Sequence, residues 1–413
     1  MKHLLPVEEH IRDIVATLQE AGFESYIVGG AIRDLLLGRR PKDYDLTTAA
    51  TPEEVRNVFG RRSVRIIGKR FRLAHLHLRK EIIEISTFRR APDQNKAGKS
   101  REALPENMIL SDNDYGTAEE GARRRDFTIN ALFFDPVRSE LLDFTGKGRE
   151  DIENGVVRAI GNPVLRFEED PVRMLRALKL VGQYDFTLDS ETENALFASL
   201  PLIRHAASSR LSLELEKVLS SAYGDRHLHA FHDFGFLRYF LPGLDAKWNA
   251  PEGRYALELL TERNYRIDEG LYRNSISLAL ATLALPFIEA AAESPRGGLW
   301  PLKHSSPRID AVLDTLFQPQ NMMHCMTDSA KRILMLQPRM REMNGDDVED
   351  ILGERSYSHA RELMTIQNAI AWQDEALDRF WPEAGRSGGS AEPAEKRRKR
   401  RRNRRSPSGK SGA

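Results

Sequence analysis

Cysteine and long apolar segments are almost absent from this chain of 413 residues. Because Cys325 is its only cysteine, no intramolecular disulfide can form, which favours a reducing compartment. No apolar run approaches the ~20 residues that span a bilayer, and the opening residues MKHLLPVEEH lack the apolar core of a signal peptide. We therefore expect a cytoplasmic protein without a transmembrane segment.

Net charge is also small, at +1, but its two signs are unevenly distributed. Residues 385–413 contain eleven Lys and Arg against two Glu, a net of +9, which leaves −8 for the rest of the chain. This segment has no apolar anchor, so we expect it to be disordered. Its basic run at 396–405 is suited to a polyanion, either nucleic acid or an anionic membrane surface. A merely solubilising or artefactual terminus is the alternative.

The hydrophobic pattern changes near residue 150, and a chain of this length is too long for one compact core. Before that point, short strands are expected at SYIVGG, DYDLTT, SVRIIG, RLAHLHLR, EIIEISTF and TINALFFDP. After it, nearly every segment to about residue 380 has helical spacing, including EDPVRMLRALKLVG. The sequence thus predicts a small α+β domain with a mixed sheet, followed by a long all-α region.

The segment YIVGGAIRDLLLGRRPKDYDL begins with two glycines between a predicted strand and a predicted helix. Backbone amides are free at such a helix start, and Gly29 and Gly30 let a phosphate approach them closely. Arg33, one turn further on, is suited to a phosphate, and Asp34 is placed to orient Arg33 or the loop. The alternative is a plain tight turn.

The same segment ends with Asp43 and Asp45, which project to one side if both lie on a strand. Two close carboxylates repel unless a cation lies between them, and Mg²⁺ accepts such ligands together with phosphate oxygens. Glu84, in an apolar strand with Ser86 on the same face, is the candidate third carboxylate. Arg89 ends that strand and is suited to a phosphate. A turn-forming Asp pair and a structural salt bridge of Glu84 are the alternatives.

Two further clusters combine acidic and basic side chains. Arg125 and Asp126, with Asn130 four residues on, suit ribose hydroxyls and phosphate oxygens. In EDPVRMLRALKL, the i, i+3 spacing of Asp170 and Arg173 predicts a shared helix face, where an acceptor and a donor together imitate a base-pairing edge. Arg176 extends the basic character by one turn. A surface charge cluster and an ordinary helical ion pair are the respective alternatives.

Taken together, these motifs resemble the class II template-independent nucleotidyltransferases, which comprise tRNA CCA-adding enzymes and bacterial poly(A) polymerases. The matching segments, in family order, are GGAIRDLLLG…KDYDL, RRDFTINAL, LLDFTGKGREDIENGVVRAIG, EDPVRMLRA and SSRLSLELEKVL. The strong resemblance covers about residues 20–225. It implies a catalytic head at 1–150, a helical neck for nucleobase recognition at 151–225 and a helical body and tail that bind RNA at 226–384. The disordered basic tail at 385–413 would follow, and we expect its run at 396–405 to contact RNA, with RNA-decay proteins or a membrane surface as the alternatives.

The resemblance also implies roles for particular residues. Catalytic roles fall to four carboxylates: Asp43, Asp45, Glu84 and Asp126. The first two would hold the metal ions, Mg²⁺ or alternatively Mn²⁺. Contacts to ATP, the substrate, fall to a second set: Gly29, Gly30, Arg33, Asp34, Arg89, Arg125, Asn130, Asp170, Arg173 and Arg176. Within that set, Arg125 would lie at the sugar, and Asp170 and Arg173 would read the nucleobase.

The branch of the family follows from IIGKRFRLAHLHL at 66–78, which resembles the stretch that marks bacterial poly(A) polymerases. We therefore expect addition of AMP from ATP to RNA 3′ ends, an mRNA-processing reaction linked to RNA decay. A tRNA CCA- or A-adding enzyme is the alternative. A catalytically inactive RNA-binding module is a third, against which the intact Asp43, Asp45 and Arg125–Asp126 argue.

Overall fold

The computed structural model describes residues 5–68, 72–78, 81–90, 115–294, 296, 298, 300, 305–342 and 347–381. The basic tail predicted at 385–413, with its run at 396–405, lies outside the described residues. Within the described part of the chain, no helix is long and apolar enough to cross a membrane.

Residues 9–153, here called the sheet region, form a mixed sheet with helices. Its strands are β1 (Ser25–Val28), β2 (Asp45–Thr48), β3 (Val64–Ile67), β4 (Leu73–Leu78), β5 (Glu81–Thr87), β6 (Leu132–Asp135) and β7 (Glu140–Asp143). Its helices are α1 (Glu9–Glu20), α2 (Gly30–Leu36), α3 (Pro52–Phe59), α4 (Ala118–Arg123) and α5 (Gly148–Glu153). Local signals explain their ends: Thr51 caps α3 in a capping box with Glu54, and Pro52 opens the helix.

The seven strands are ordered β3-β4-β5-β2-β1-β6-β7. Neighbours pair antiparallel except β2 and β5, which run parallel. Strand alternation gives the sheet two different faces. One face carries Ile27, Leu46 and Ile85 into the main core. The other carries polar side chains of β2 and β5, and there the candidate site lies.

The described residues between 156 and 381, here called the helical region, are mostly helical as predicted. The first group of helices is α6 (Pro163–Glu169), α7 (Val172–Tyr184), α8 (Ser190–Ser199), α9 (Ser208–Leu219), α10 (Gly224–Asp233), α11 (Leu237–Phe240) and α12 (Pro242–Ala246). The second is α13 (Pro251–Asp268), α14 (Ile276–Ala291), α15 (Ser305–Phe317), α16 (His324–Glu342), α17 (Val348–Gly353), α18 (Tyr357–Gln367) and α19 (Glu375–Phe380). A short parallel ladder of β8 (Val156–Val157) with β9 (Thr187–Leu188) interrupts them.

The α+β region followed by a mostly helical one confirms the predicted fold class. One buried cluster runs from Ile11 to Trp381, so the sheet and helical regions share a continuous hydrophobic core. The domain boundaries expected at residues 150, 225 and 384 stay predictions.

Several expectations about single elements are wrong: β7 was not predicted, and only Asp45–Thr48 of DYDLTT is a strand. In TINALFFDP only Leu132–Asp135 is a strand, because Thr128–Asn130 forms a 3₁₀ turn. The Thr128 hydroxyl donates to Asp151, and its amide donates to the Arg158 carbonyl, so tertiary hydrogen bonds replace a sheet ladder there. The segment EDPVRMLRALKLVG is not one helix, since α6 ends at Glu169 and α7 begins at Val172.

Candidate active site

A row of side chains crosses the polar face of the sheet. The strand register places Asp45 between Val28 on β1 and Glu84 on β5, and Glu84 opposite His75 on β4. Both carboxylates are exposed, and Glu84 lies 3.4 Å from His75 Nε2. Asp43 is exposed too, but it precedes β2 rather than lying on it, so the premise of two aspartates on one strand is wrong.

The surroundings of Asp45 shift the pKa of its carboxyl group. Although the Asp45 side chain keeps access to solvent, the protein groups packed around it remove water contacts and raise the pKa of its carboxyl group. Arg125 opposes that rise, and the negative charges of Asp43 and Glu84 add to it. The three carboxylates therefore interact and are short of positive charge. Among the described residues, no three His, Cys, Asp or Glu side chains converge as a complete metal cage. The donors fit a cation that takes part of its ligands from phosphate or water, as Mg²⁺ does.

Gly29 lies where the chain passes close to this row. Its φ of 78° favours glycine, and a Cβ there would come within 3.1 Å of Arg125 Nη1 and 3.6 Å of Asp45 Oδ2. A Cβ on Gly30 would lie 3.1 Å from Arg33 Nη2. Gly29 therefore lets the backbone pass close to Arg125 and Asp45, and Gly30 leaves room for the Arg33 side chain.

Arg33 is buried and turned into the protein. Its guanidinium donates to Asn130 Oδ1 at 2.7 Å, to Asp34 Oδ1 at 2.9 Å and to the Tyr184 hydroxyl at 2.6 Å. Asp34 thus orients Arg33 in this structure. Direct contact of Arg33 with a phosphate stays a prediction.

Asp126 is buried, with amide hydrogen-bond donors at one carboxylate oxygen and an arginine at the other. Its Oδ1 accepts from the Phe127 amide at 2.8 Å and from Asn130 Nδ2 at 3.2 Å, and its Oδ2 lies 2.9 Å from Arg176 Nη2. Burial alone would raise the pKa of Asp126, but Arg176 and Asn130 together hold it below its usual range. Arg125 beside it donates to the Asn130 carbonyl at 3.1 Å. Asp126 is therefore an ionised anchor next to the acidic row.

The two residues predicted to read the nucleobase do not share a helix face. Asp170 lies in the break between α6 and α7, where both carboxylate oxygens accept from Arg210 of α9 at 2.9 Å. Arg173 instead donates to Glu169 at 3.2 Å. The cause is Pro171, whose ring fixes its own φ and disfavours helical geometry at Asp170.

A cleft of about 250 Å³ lies between the polar sheet face and these helices. Its lining combines Thr47, Ser86 and Phe88 of the sheet with arginines and two acids. The predicted site residues among the lining are Arg89, Arg125, Asp170 and Arg173. Of the described site residues, Arg33, Asp34 and Asn130 lie behind this lining in the buried network. The fold therefore brings Arg125 of RRDFTINAL together with Asp170 and Arg173 of EDPVRMLRA at one cleft.

Four residues with evident roles were missed by sequence reasoning. Arg166 donates to the carbonyls of Arg124 (2.5 Å) and Arg125 (2.8 Å) and so fixes the backbone before Asp126. Glu169 and Arg210 lay inside quoted motifs, and their charge was the available signal. Nothing in the sequence pattern marked Tyr184, because its partners lie about 150 residues away.

Comparison with known proteins now identifies the family. A family model described as "Poly A polymerase head domain" matches residues 25–158, and one described as "Probable RNA and SrmB- binding site of polymerase A" matches residues 185–247. Over 389 residues the chain is 33% identical to Poly(A) polymerase I of Escherichia coli O6:H1, covering 91% of this chain and 82% of that one. The chain belongs to the class II template-independent nucleotidyltransferases.

Other relatives span both branches of this nucleotidyltransferase family. Poly(A) polymerase I of Haemophilus influenzae is 39% identical over 285 residues, 67% of this chain and 62% of that one. The chain therefore spans less than two thirds of that relative. A CCA-adding enzyme of a Geobacillus species is 35% identical over 255 residues, 61% of this chain and 60% of that one. The solved structure of a CCA-adding enzyme in an apo form shares the fold, with a TM-score of 0.59 at 20% identity, covering 91% and 83% of the two chains.

Proposed function

We propose that this nucleotidyltransferase is a Mg²⁺-dependent poly(A) polymerase that adds AMP from ATP to RNA 3′ ends in the cytoplasm, without a template. The observation that carries the proposal is Asp45 facing Glu84 beside Arg125, next to an arginine-lined cleft. The relatives named Poly(A) polymerase I, at 33% and 39% identity, favour this branch.

Asp43 and Asp45 would hold Mg²⁺, with Glu84 as a third acidic neighbour. Loss of water contacts and the neighbouring negative charges together raise the pKa of Asp45, and a bound cation would offset both effects. Mg²⁺ held there would lower the pKa of the RNA 3′-hydroxyl and neutralise the leaving pyrophosphate. The protein's own task is then to position the two substrates and stabilise charge.

In the proposed reaction the RNA 3′-hydroxyl oxygen bonds to the α-phosphorus of ATP. The bond from that phosphorus to the bridging oxygen breaks, pyrophosphate leaves, and the hydroxyl proton passes to solvent. Arg125 is placed to contact the nucleotide, because it lines the cleft beside Asp45. With no template, the base must be chosen by side chains, for which Asp170, Arg173 and Arg210 supply donors and acceptors in the cleft.

Addition of CCA or A to tRNA is the second candidate. The observation that favours it is the 35% identity to a CCA-adding enzyme, which matches 61% of this chain. The same metal and phosphate contacts would serve both reactions. The two candidates differ in the choice of RNA and in when growth stops.

One assay separates the candidates. Purified protein is given Mg²⁺, labelled RNA of arbitrary sequence or tRNA lacking its CCA end, and each nucleoside triphosphate singly. A long ladder with ATP on arbitrary RNA supports the poly(A) proposal. Growth on tRNA alone that stops when the CCA end is complete supports the second candidate. No extension on either RNA, under conditions that preserve the fold, rejects both.

Controls in the same assay test the metal assignment. Chelation by EDTA should stop extension and added Mg²⁺ should restore it. Asp43→Ala should be inactive, and extension by that variant would contradict its role as a metal ligand. Deleting residues 396–405 should weaken RNA binding most at low salt, because Lys and Arg bind phosphates by counterion release. An unchanged salt dependence would remove RNA as the partner of this basic run.

A further inference from the structure

A closed ring of side chains ties the sheet region to helix α7 behind the cleft lining. Tyr184, the last residue of α7, is buried, and its hydroxyl forms three hydrogen bonds. The hydroxyl donates to Asp34 Oδ1 at 2.7 Å and accepts from Arg33 Nη2 at 2.6 Å and Gln183 Nε2 at 3.0 Å. One donated and two accepted bonds are all that a tyrosine hydroxyl can form.

From Arg33 the ring returns to the same helix. Arg33 Nη1 donates to Asn130 Oδ1 at 2.7 Å, Asn130 Nδ2 donates to Asp126 Oδ1 at 3.2 Å, and Asp126 Oδ2 lies 2.9 Å from Arg176 Nη2. Because a guanidinium only donates, Asn130 must turn its oxygen to Arg33 and its amino group to Asp126. Arg176 lies on α7, about two helical turns before Tyr184.

We propose that Tyr184 is a positioning residue for nucleotide transfer, which holds Arg33 and, through Asn130, fixes Arg125 at the cleft. Arg125 donates to the Asn130 carbonyl, so a displaced Asn130 moves the cation that faces Asp45. This inference rests on the proposed transferase activity. Tyr184 thereby connects helix α7 to the acidic row without itself lining the cleft.

The side chain of Tyr184 holds Arg33 in two ways. Its ring lies beneath the Arg33 guanidinium at 4.4 Å and the Arg39 guanidinium at 4.8 Å, a cation–π arrangement. Burial raises the pKa of the Tyr184 hydroxyl, which therefore stays protonated and donates to Asp34. A residue that only filled the core beside Phe186 would need the ring alone.

The substitution Tyr184→Phe separates these two functions, because it keeps the ring and removes the hydroxyl. In the full chain it should raise the KM for ATP about tenfold, as expected for loss of a hydrogen bond to a charged group, and leave the KM for RNA unchanged. Tyr272→Phe is the matched control, since it removes a hydroxyl paired with Ser358 in the helical region. It should change neither constant.

A purely structural role of Tyr184 gives a different result. Destabilisation lowers the fraction of folded enzyme and hence kcat, while the surviving molecules keep the wild-type KM for ATP. An unchanged KM in Tyr184→Phe therefore overturns the proposal. A double-mutant cycle with Arg33→Lys adds a second criterion. If Tyr184 acts through Arg33, the double variant is little worse than Arg33→Lys, whereas additive effects on KM contradict the proposal.

Amide hydrogen exchange provides a readout that needs no activity. Tyr184→Phe should accelerate exchange in α2 and in the 3₁₀ turn Thr128–Asn130, and Tyr272→Phe should not. If the folded wild type transfers no nucleotide to any RNA, the proposed function fails, but this exchange experiment still decides about the ring. Faster exchange at both segments shows that the hydroxyl of Tyr184 couples α7 to the sheet region, and wild-type exchange overturns the proposal.

Discussion

Asp45 and Glu84 lie directly opposite each other on the parallel strands β2 and β5, with side chains on the polar face of the sheet. Each belongs to a different sequence motif, separated by two strands and a helix. Loss of water contacts, with smaller contributions from Asp43 and from Glu84, raises the pKa of Asp45 and so disfavours its ionised form. This relationship is the structural basis for the metal assignment.

Asp45→Asn should reduce nucleotide transfer at least about 100-fold, because it removes a charged ligand at the reacting phosphate. The same change should leave thermal stability equal or higher, since the raised pKa shows that the charged carboxylate is unfavourable in the fold. Extension assays and thermal unfolding measure the two effects. Glu81→Gln, an exposed change at the other end of β5, is the control and should keep full activity. Near-normal transfer by Asp45→Asn would exclude it as a metal ligand.

Arg210→Gln should weaken the choice of nucleobase. Asp170 is held by both guanidinium nitrogens of Arg210, and a freed carboxylate adopts several orientations in the cleft. The ratio of kcat/KM for ATP to that for CTP should fall about tenfold, the size of one bidentate charged contact. Arg204→Ala, an exposed arginine that contacts Tyr239 instead, should keep the wild-type ratio. An unchanged ratio in Arg210→Gln would show that Asp170 does not read the base.

The pair Lys179–Glu214 should matter for stability. Lys179 of α7 lies 3.0 Å from Glu214 of α9, and both are largely buried. Burial alone would raise the pKa of Glu214, but Lys179 and Lys217 outweigh it and bring the pKa to about 2. Glu214→Gln leaves the largely buried ammonium of Lys179 without its counter-charge. It should lower the free energy of unfolding by about 3 kcal/mol, as measured by urea unfolding. The double change Lys179→Met/Glu214→Leu should lie within about 1 kcal/mol of wild type. A double variant as unstable as Glu214→Gln would contradict this account.

His227 should make the fold sensitive to acid. It is buried without a hydrogen-bond partner on either ring nitrogen in the described residues. Burial, aided by the charge of Lys179, lowers its pKa from 6.5 to about 3. Below pH 6.5 the unfolded chain therefore binds a proton that the folded chain does not, so stability falls as pH falls. The loss is about 1.4 kcal/mol per pH unit.

Urea unfolding at pH 7 and pH 5 tests this prediction. His227→Leu should lose about 2 kcal/mol less than wild type between the two pH values. His229→Leu, at an exposed position of the same helix, should keep the wild-type pH dependence. Equal slopes for His227→Leu and wild type would show that His227 is protonated in the fold.

Much of the fold was predictable because its signals are local. Apolar runs marked six strands of the sheet, but β7 and the short β8 and β9 were not predicted, and DYDLTT and TINALFFDP are strands only in part. The error at Thr128–Asn130 has a tertiary cause, since Asp151 and Arg158 take the polar groups that a strand would have paired. The helix break at Asp170 was signalled by Pro171 and should have been read from it.

The sequence by itself determined the family, the fold class and the set of candidate ligands, because the spacing of glycines, carboxylates and arginines within each motif is local information. Only the tertiary structure decided which of them meet. Parallel pairing of β2 with β5 brought Asp45 to Glu84. Packing of α7 against the sheet region placed Tyr184 in contact with Arg33. Packing of α9 placed Arg210 in contact with Asp170. These contacts join residues that are distant along the chain, so they follow from core packing rather than from periodicity.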